Sequence, residues 1–374
     1  MSMTHTEIFP RPEIAIATQS PPVDSPSQEK GTLFCENIAP LPLNAFQAAD
    51  RHLMEMMEAL RTESVDSFNA SKRQLVSLLK KYGEPITQWN PLLLEFTDSQ
   101  CLQGKQFPNI NLEMVSLRST EGPISLAGSC LQGASMLCAN LDQAILTGTE
   151  LSGVDMRFVS LMDGNLKEAV LIETNLGYAN LCGADLERAN LYRARMKGAT
   201  LKQANFQEAN LRKADLRNTD CYQADFRTAR LQYADLREAN LFMADLAGAR
   251  LRYSDLRSAN LGFSRLSEAR LQHARLCDAN MSSADLTRAD LRNCRLNGVD
   301  LSRALVKDAN LAATQLAESD LADCQALESA NLQNAIFDDQ THFPQDFQPQ
   351  KHGLNYLQLV LFRKVSRFIN ALLG

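Results

Sequence analysis

The sequence has no hydrophobic run long enough to cross a membrane, and it contains few aromatic residues. No apolar stretch reaches about 18 residues, which excludes a membrane-spanning helix. Phe, Trp and Tyr together make up only 6% of the chain. There is no excess of basic charge, because 44 acidic and 38 basic residues give a formal net charge of −6. This balance argues against a strongly basic nucleic-acid-binding protein.

The sequence also lacks the motifs of catalytic and cofactor sites. It contains no G-x-S-x-G, H-E-x-x-H, C-x-x-C, G-x-G-x-x-G or phosphate-binding loop, and its five His are isolated. The nine Cys are scattered and odd in number, and no secretory signal is evident, so we expect a reducing, cytoplasmic location. Cys221 and Cys294 fall at positions predicted to be inward, where they are interpreted as core residues. We therefore expect no enzyme, no metal and no cofactor.

The dominant feature of the sequence is an apolar residue at every fifth position. From Leu126 to Leu321 the pattern holds for 40 consecutive positions, of which 32 are Leu. The residue two positions earlier is mostly small, and it is Ala in 26 of the 40 cases. The residue between the two is often Asp or Asn, as in ANLYRARMKGATLKQANFQEANLRKADL (189–216).

A period of five matches neither an α-helix, which repeats at 3.6 residues, nor a strand, which repeats at 2. It requires a chain that turns a corner every five residues, so that four corners close a coil of about 20 residues. Coils would then stack about 4.8 Å apart, the usual spacing of paired strands. Both the Leu and the Ala would point inward, and Ala would be small because the interior is narrow where the wall bends.

These residues resemble the A(D/N)LXX motif of the pentapeptide-repeat family, and the repeats cover more than half of the chain. The resemblance implies an all-β solenoid, namely a right-handed quadrilateral β-helix, here with flanking helical segments. Further repeats extend the array at both ends, beyond an interruption at 118–124 and a frame slip of one residue after Leu321. Their central residues are Leu102, Phe107, Leu112 and Leu117 on one side, and Leu327, Leu332 and Phe337 on the other.

Segments of different composition flank the array, which we place at residues 101–343. Residues 1–43 are rich in Pro, Ser, Thr and Gln and are predicted to be a disordered tail. Residues 44–100 are predicted to be a helical region, a hairpin divided near Glu63, that caps the first coil. Residues 344–374 are predicted to contain a linker and an amphipathic helix.

The C-terminal helix, predicted from Leu354 to Leu373, has one basic and one apolar side and contains no acidic residue. Three interpretations remain: a cap over the last coil, a homodimer contact, or a helix that binds a membrane surface or a partner. For the last interpretation the candidate residues are Arg363, Lys364, Arg367 and Phe368.

Stacking of the coils would place residue i beside residue i+20, which converts the sequence into a map of the surface. One wall then carries columns of Arg beside a column of Tyr and His. We predict a partner-binding strip there, since Arg and Tyr are frequent in binding hot spots, with a solvated face as the alternative. Its residues are Arg230, Arg250 and Arg270, then Arg212, Arg252 and Arg292, then Tyr233, Tyr253 and His273.

Two other walls have patterns of their own. On the wall after the strip, an Asp column and an Arg column are predicted to form a ladder of ion pairs of modest stabilising value. On the third wall, Phe242 and Phe263 lie near Tyr222 and Met243, and we predict a second interaction patch. Asn240, Asn260 and Asn280 are predicted to stack there as an amide ladder.

Three functions compete. We favour a non-enzymatic scaffold that binds an unidentified protein and no nucleic acid. The alternative is a bacterial effector secreted into a host cell, since some effectors resemble this chain in joining an N-terminal helical region to pentapeptide repeats. The third, a DNA mimic that protects topoisomerase like the quinolone-resistance members of the family, needs an acidic rod. Residues 126–326 do not provide one, because they contain 24 basic and 25 acidic residues.

Overall fold

The structure is a computed structural model that describes residues 31–32, 43–81, 92–96, 102–113, 115–119 and 122–356. Within these residues, two α-helices and five short strands frame a long array of coils. In chain order the elements are β1 (Gly31–Thr32), α1 (Leu43–Arg61), α2 (Val65–Lys81), β2 (Leu92–Phe96), β3 (Val115–Ser119), β4 (Ile336–Phe337) and β5 (Asn355–Tyr356). Single-turn 3₁₀ helices lie at Leu327–Ser329 and Pro349–His352.

The array is a stack of 20-residue coils. Parallel bridges join Arg230 to Arg250 and then Arg250 to Arg270, and the same offset of 20 residues recurs throughout the stack. Four such bridge columns per coil define four walls, which we number in the order in which the chain passes through them. Their centres include Arg230, Arg250 and Arg270 in the first wall, Asp235 and Asp255 in the second, Asn240 and Asn260 in the third, and Asp245 and Asp285 in the fourth.

The core of the stack is the predicted row of inward residues. Each of the 40 residues at every fifth position from Leu126 to Leu321 is at most 1% exposed, which confirms the prediction. Burial of each Leu contributes about 2 kcal/mol to the free energy of unfolding. Larger side chains fit where they stack on each other, as Phe206 and Phe226 do with ring centroids 4.9 Å apart.

Every corner is a tight turn. In one example the Leu231 carbonyl accepts a hydrogen bond from the Ala234 N–H at 3.1 Å, and Tyr233 has φ 62°. A positive φ recurs at every fifth residue from 128 to 318. A turn in which only the third residue has positive φ is a type II turn. The side chains at this third position project from the corners, where they contact their equivalents one coil away.

The N-terminal helices pack on the first coil. Leu53 and Phe68 share one buried core with Leu102 of the coil. The Lys72 ammonium donates hydrogen bonds to the Asn111 and Glu113 carbonyls, at 3.1 and 2.5 Å. These bonds give partners to backbone groups at the open end of the stack, as expected of a cap. The predicted division of the hairpin is also confirmed, since the chain turns at Glu63 with φ 58°.

Two segments near the N terminus differ from the expectation. The prediction of a helical region at 44–100 is wrong at Leu92–Phe96, which is a strand parallel to β3. The apolar run LLLEF extends the sheet there and covers an edge that would otherwise be unpaired. Gly31–Thr32, inside the predicted disordered tail 1–43, pair antiparallel with β2. Apart from Leu43, which begins α1, the rest of that tail lies outside the described residues.

Both predicted interruptions of the array are confirmed by the bridge offsets. Ser116 pairs with Asn140, an offset of 24, whereas Ser125 pairs with Ile145, an offset of 20, so four extra residues lie between these two bridges. Asn310 pairs with Asn331, an offset of 21, which is the predicted frame slip. The inserted residue is accommodated by the 3₁₀ turn Leu327–Ser329.

The prediction of a helix that starts at Leu354 is wrong at its beginning. Asn355–Tyr356 form strand β5, parallel to β4, because the last coil offers an edge that a strand can pair with. The Tyr356 ring then packs edge-on against Phe337, 5.3 Å away. The candidate residues Arg363, Lys364, Arg367 and Phe368 lie outside the described residues. No helix in the described part of the chain is long and apolar enough to span a membrane.

Candidate functional site

The first wall brings the predicted cations together as a strip. Arg230, Arg250 and Arg270 follow one another in consecutive bridges, and all three are exposed. Arg212 and Arg252 lie on the same wall. Each occupies the second position of the turn that follows a bridge residue of this wall. We call the set of predicted residues on this wall the Arg–Tyr strip; it consists of Arg212, Arg230, Tyr233, Arg250, Arg252, Tyr253, Arg270, His273 and Arg292.

The rings of the Arg–Tyr strip form a continuous stack. Tyr233 lies 5.1 Å from Tyr253, and Tyr253 lies 4.8 Å from His273, with interplanar angles of 7° and 4°. Tyr233 is 53% exposed and Tyr253 is 43% exposed. The Arg252 guanidinium lies 5.7 Å from the Tyr253 ring centroid, within range of a cation–π contact. Tyr253 therefore has a ring against each of its two faces and presents its edge to solvent.

One predicted cation is already neutralised. Arg292 donates hydrogen bonds to both carboxylate oxygens of Asp290, at 2.9 and 2.7 Å. Burial raises the pKa of the Asp290 carboxyl, but the hydrogen bonds from Arg292 and Gln272 outweigh it and lower the pKa below its usual value. Asp290 thus forms an acidic end to the strip, and Arg292 has no charge to offer a partner there.

A comparison of equivalent arginines distinguishes the strip from the other walls. Eight arginines of the array occupy the second position of a turn. Six of them form an ion pair of 2.5–2.7 Å with the Asp two residues earlier: Arg157, Arg217, Arg227, Arg237, Arg257 and Arg292. The other two are Arg212 and Arg252, which follow Asn210 and Arg250 instead of Asp. Within the described residues neither has an acidic side chain in salt-bridge range.

Two backbone N–H groups of the strip also lack the acceptor that is usual at their position. In most turns an Asp or Asn accepts the N–H of the residue two positions later, as Asp225 does from Arg227 at 2.9 Å. Where Arg230 and Arg250 replace this residue, the N–H groups of Gln232 and Arg252 have no protein acceptor in the described part of the chain. The Gln232 Oε1 is buried without a partner as well. The strip therefore presents unpaired donors in addition to unpaired cations.

The second wall shows the opposite arrangement. Arg237 contacts Asp235 at 2.7 Å and Asp255 at 3.9 Å, and Arg257 contacts Asp255 at 2.7 Å. Burial raises the pKa of the Asp255 carboxyl, but hydrogen bonds from Arg257 outweigh it and lower the pKa. The predicted ion-pair ladder is confirmed, and the wall is close to neutral.

The third wall carries the predicted aromatic patch. The Tyr222 and Phe242 rings are parallel at 6.3 Å, and Phe263 lies 5.4 Å from Phe242 and is 52% exposed. The amide ladder is confirmed, since Asn260 donates to Asn240 at 3.2 Å. Sequence reasoning missed a second aromatic pair at the corner that leads into this wall, Phe158 and Tyr178, whose rings stack at 5.3 Å. The spacing of 20 residues between them was the available signal.

The buried thiols have no nucleophilic character. Burial raises the pKa of Cys221 and of Cys294 to about 12, so both remain protonated at neutral pH. Both lie in the core, as predicted. In the part of the chain that the structure covers, no group of three or more His, Cys, Asp or Glu could hold a metal ion.

Comparisons with known proteins agree with the repeat. The family model for pentapeptide repeats matches eight copies, at residues 125–161, 165–203, 204–241, 244–282, 264–303 and 284–323 among others, which is more than half of the chain. No curated protein matches the sequence.

Several solved structures are similar to this chain. HetL, a protein involved in heterocyst differentiation regulation from the cyanobacterium Nostoc sp. strain PCC 7120, is 27% identical over 70% of this chain and 95% of its own, with a TM-score of 0.24. QnrB1, a plasmid-mediated fluoroquinolone resistance protein, is 17% identical over 50% of this chain and 94% of its own, with a TM-score of 0.36. Because both TM-scores are below 0.5, the assignment of this chain to a family rests on the family model and on the repeat. The chain belongs to the pentapeptide-repeat family.

Proposed function

We propose that the protein is a non-enzymatic scaffold that binds an acidic protein through the Arg–Tyr strip. The observation that supports this function best is a contrast among the arginines at the second position of a turn. Six of them have an Asp partner, whereas Arg212 and Arg252 have no acidic partner among the described residues. A carboxylate from a partner would occupy the position that Asp290 occupies beside Arg292. Guanidinium–carboxylate pairs of this kind are strong and directional, and Arg is enriched in binding hot spots.

The fold supports this function through its rigidity. As a member of this family, the chain would form a right-handed quadrilateral β-helix, on which each side chain of a wall has a fixed place relative to its neighbours. The guanidinium groups that bind the partner would therefore belong to arginines whose backbone is already fixed. That backbone would lose little conformational freedom on binding. A basic surface also argues against the mimicry of DNA, which requires acidic columns.

A pull-down with matched variants tests the proposal. The first variant, Arg230→Gln/Arg250→Gln/Arg270→Gln, removes three charges of the strip. Gln suits these positions because Gln315 and Gln325 occupy equivalent places in the array. The control, Arg195→Gln/Arg295→Gln/Arg303→Gln, removes three exposed charges elsewhere. In the described structure these three also have no ion pair.

We expect the strip variant to recover about tenfold less of a specific partner than the wild type, since each exposed ion pair contributes about 0.5 kcal/mol. The control variant is expected to recover the wild-type amount. Equal losses in both variants would show that only the net charge matters, and no loss in the strip variant would contradict the proposed site.

A further inference from the structure

The cations of the Arg–Tyr strip have a regular spacing along the stack. Arg230, Arg250 and Arg270 are one coil apart, and the adjacent rings measure this step as 5.1 and 4.8 Å. Arg212 and Arg252 are two coils apart, or about 10 Å at the usual spacing of paired strands. A partner that pairs with every cation must therefore present carboxylates at about 5 Å intervals, with a second row at twice that interval.

The spacing identifies the backbone that fits. On one face of an α-helix, side chains recur each turn of about 5.4 Å, and every second turn at about 10.8 Å. On one face of an extended strand they recur at about 6.6 Å. After three coils, the side chains on one face of a helix are displaced from the cations by about 2 Å along the stack, which long Arg side chains can accommodate. The side chains on one face of a strand are displaced by about 5 Å.

The stacked rings argue for a protein and against a single-stranded nucleic acid. Bases bind such surfaces by stacking on exposed aromatic faces. Here Tyr253 lies between Tyr233 and His273 with both of its faces covered, so that a base has no free face to stack on in the middle of the strip. The ring edges and the tyrosine hydroxyls remain available for contact, and they suit side chains of a protein partner that lies along the stack.

We propose that the partner presents an acidic α-helix, which lies along the axis of the stack with Asp or Glu at i, i+4, i+7 and i+11 facing the first wall. This inference rests on the proposed function and specifies its partner. Each carboxylate pairs with one guanidinium, as Asp290 pairs with Arg292, and the N–H of Arg252 supplies a further donor. Binding also removes the repulsion between like charges that stand one coil apart in the free protein.

Designed peptides test the geometry with the full-length protein. The first probe is a fluorescent Ala-based helix of about 20 residues with four Glu at i, i+4, i+7 and i+11. The second places the same four Glu on all sides of the helix, and the third keeps the clustered pattern but contains two interior Pro that break the helix. An oligothymidylate of similar charge competes with the first probe. Anisotropy reports binding to the wild type and to the two Arg→Gln triple variants described above.

We expect the clustered helix to bind about tenfold more tightly than either of the other peptides, and to lose that advantage only with the strip variant. Equal affinity for the dispersed or the Pro-containing peptide would overturn the helical partner. Displacement of the probe by the oligothymidylate at an equal or lower concentration would overturn it in favour of a nucleic acid. If the peptides fail while the pull-down still depends on the strip, the helix is excluded and the protein-binding function stands.

Discussion

At the scale of the residue, the third position of each turn governs what the surface displays. The backbone there has positive φ, which costs a non-glycine residue about 1–2 kcal/mol. Tyr233, Tyr253 and His273 accept this conformation, and their stacking offsets part of the cost. Contacts between coils thus place exposed rings at corners where an isolated turn would favour Gly or Asn.

A pair of glycine substitutions separates the backbone cost from the contact between coils. Gly148 has φ 62° and open space where a Cβ would lie, so Gly148→Ala carries only the backbone cost. Gly198 has φ 69°, and its Cβ would lie 2.5 Å from Cε1 of Tyr178, whose ring stacks on Phe158. We expect Gly198→Ala to lower the free energy of unfolding by about 1 kcal/mol more than Gly148→Ala, the value of a ring stack. Thermal melts of both variants measure the difference, and equal melting temperatures would contradict it.

At the scale of the element, the buried Lys72 amine joins the α1–α2 hairpin to the first coil. Burial lowers the pKa of the Lys72 ammonium to about 8 from 10.5, an effect that nearby Glu113 partly opposes. The amine contacts the Asn111 and Glu113 carbonyls and the Asn111 side chain. The hairpin is therefore held to the first coil by a polar contact as well as by its apolar face.

This contact predicts a pH dependence. Below pH 8 both the folded and the unfolded chain keep the Lys72 proton, whereas between about pH 8 and 10.5 only the unfolded chain keeps it. Stability therefore rises with pH across this window, by up to about 3 kcal/mol. Helical circular dichroism during unfolding should show the wild type gaining stability from pH 7.5 to 10 relative to Lys72→Met. The variant corrects for other groups that titrate in this range, and parallel curves would count against the assignment.

At the scale of the whole molecule, much of the architecture was predictable from the sequence. The period of five residues and the offset of 20 placed the core from Leu126 to Leu321 and brought Tyr233, Tyr253 and His273 together. The ends were less predictable, because Leu92–Phe96 and Asn355–Tyr356 are strands only through pairing with the coils beside them. A short segment whose conformation depends on a distant edge has no local pattern that identifies it.

The candidate site was predictable in position but not in its charge balance. The columns of Arg were visible in the sequence, yet the neutralisation of Arg292 by Asp290 depends on the turn geometry that brings them within 2.7 Å. Arg212 and Arg252 differ from the other arginines at the second position of a turn because Asn210 and Arg250 stand two residues before them, where the others have Asp. Residue type and spacing identified the surface, and hydrogen-bond geometry identified which of its cations remain available.

Photo-crosslinking around a single coil would show whether the protein binds its partner through the first wall. One coil offers four exposed residues in the same backbone conformation, one at each corner: Tyr253, Ser258, Phe263 and Glu268, with φ of 56–60°. Each is replaced in turn by benzoylphenylalanine, and adducts are quantified in lysate. We predict that position 253 gives a specific adduct several-fold stronger than the other three, and that Arg230→Gln/Arg250→Gln/Arg270→Gln abolishes it. An adduct as strong from position 263 would assign the function to the aromatic patch and contradict the account.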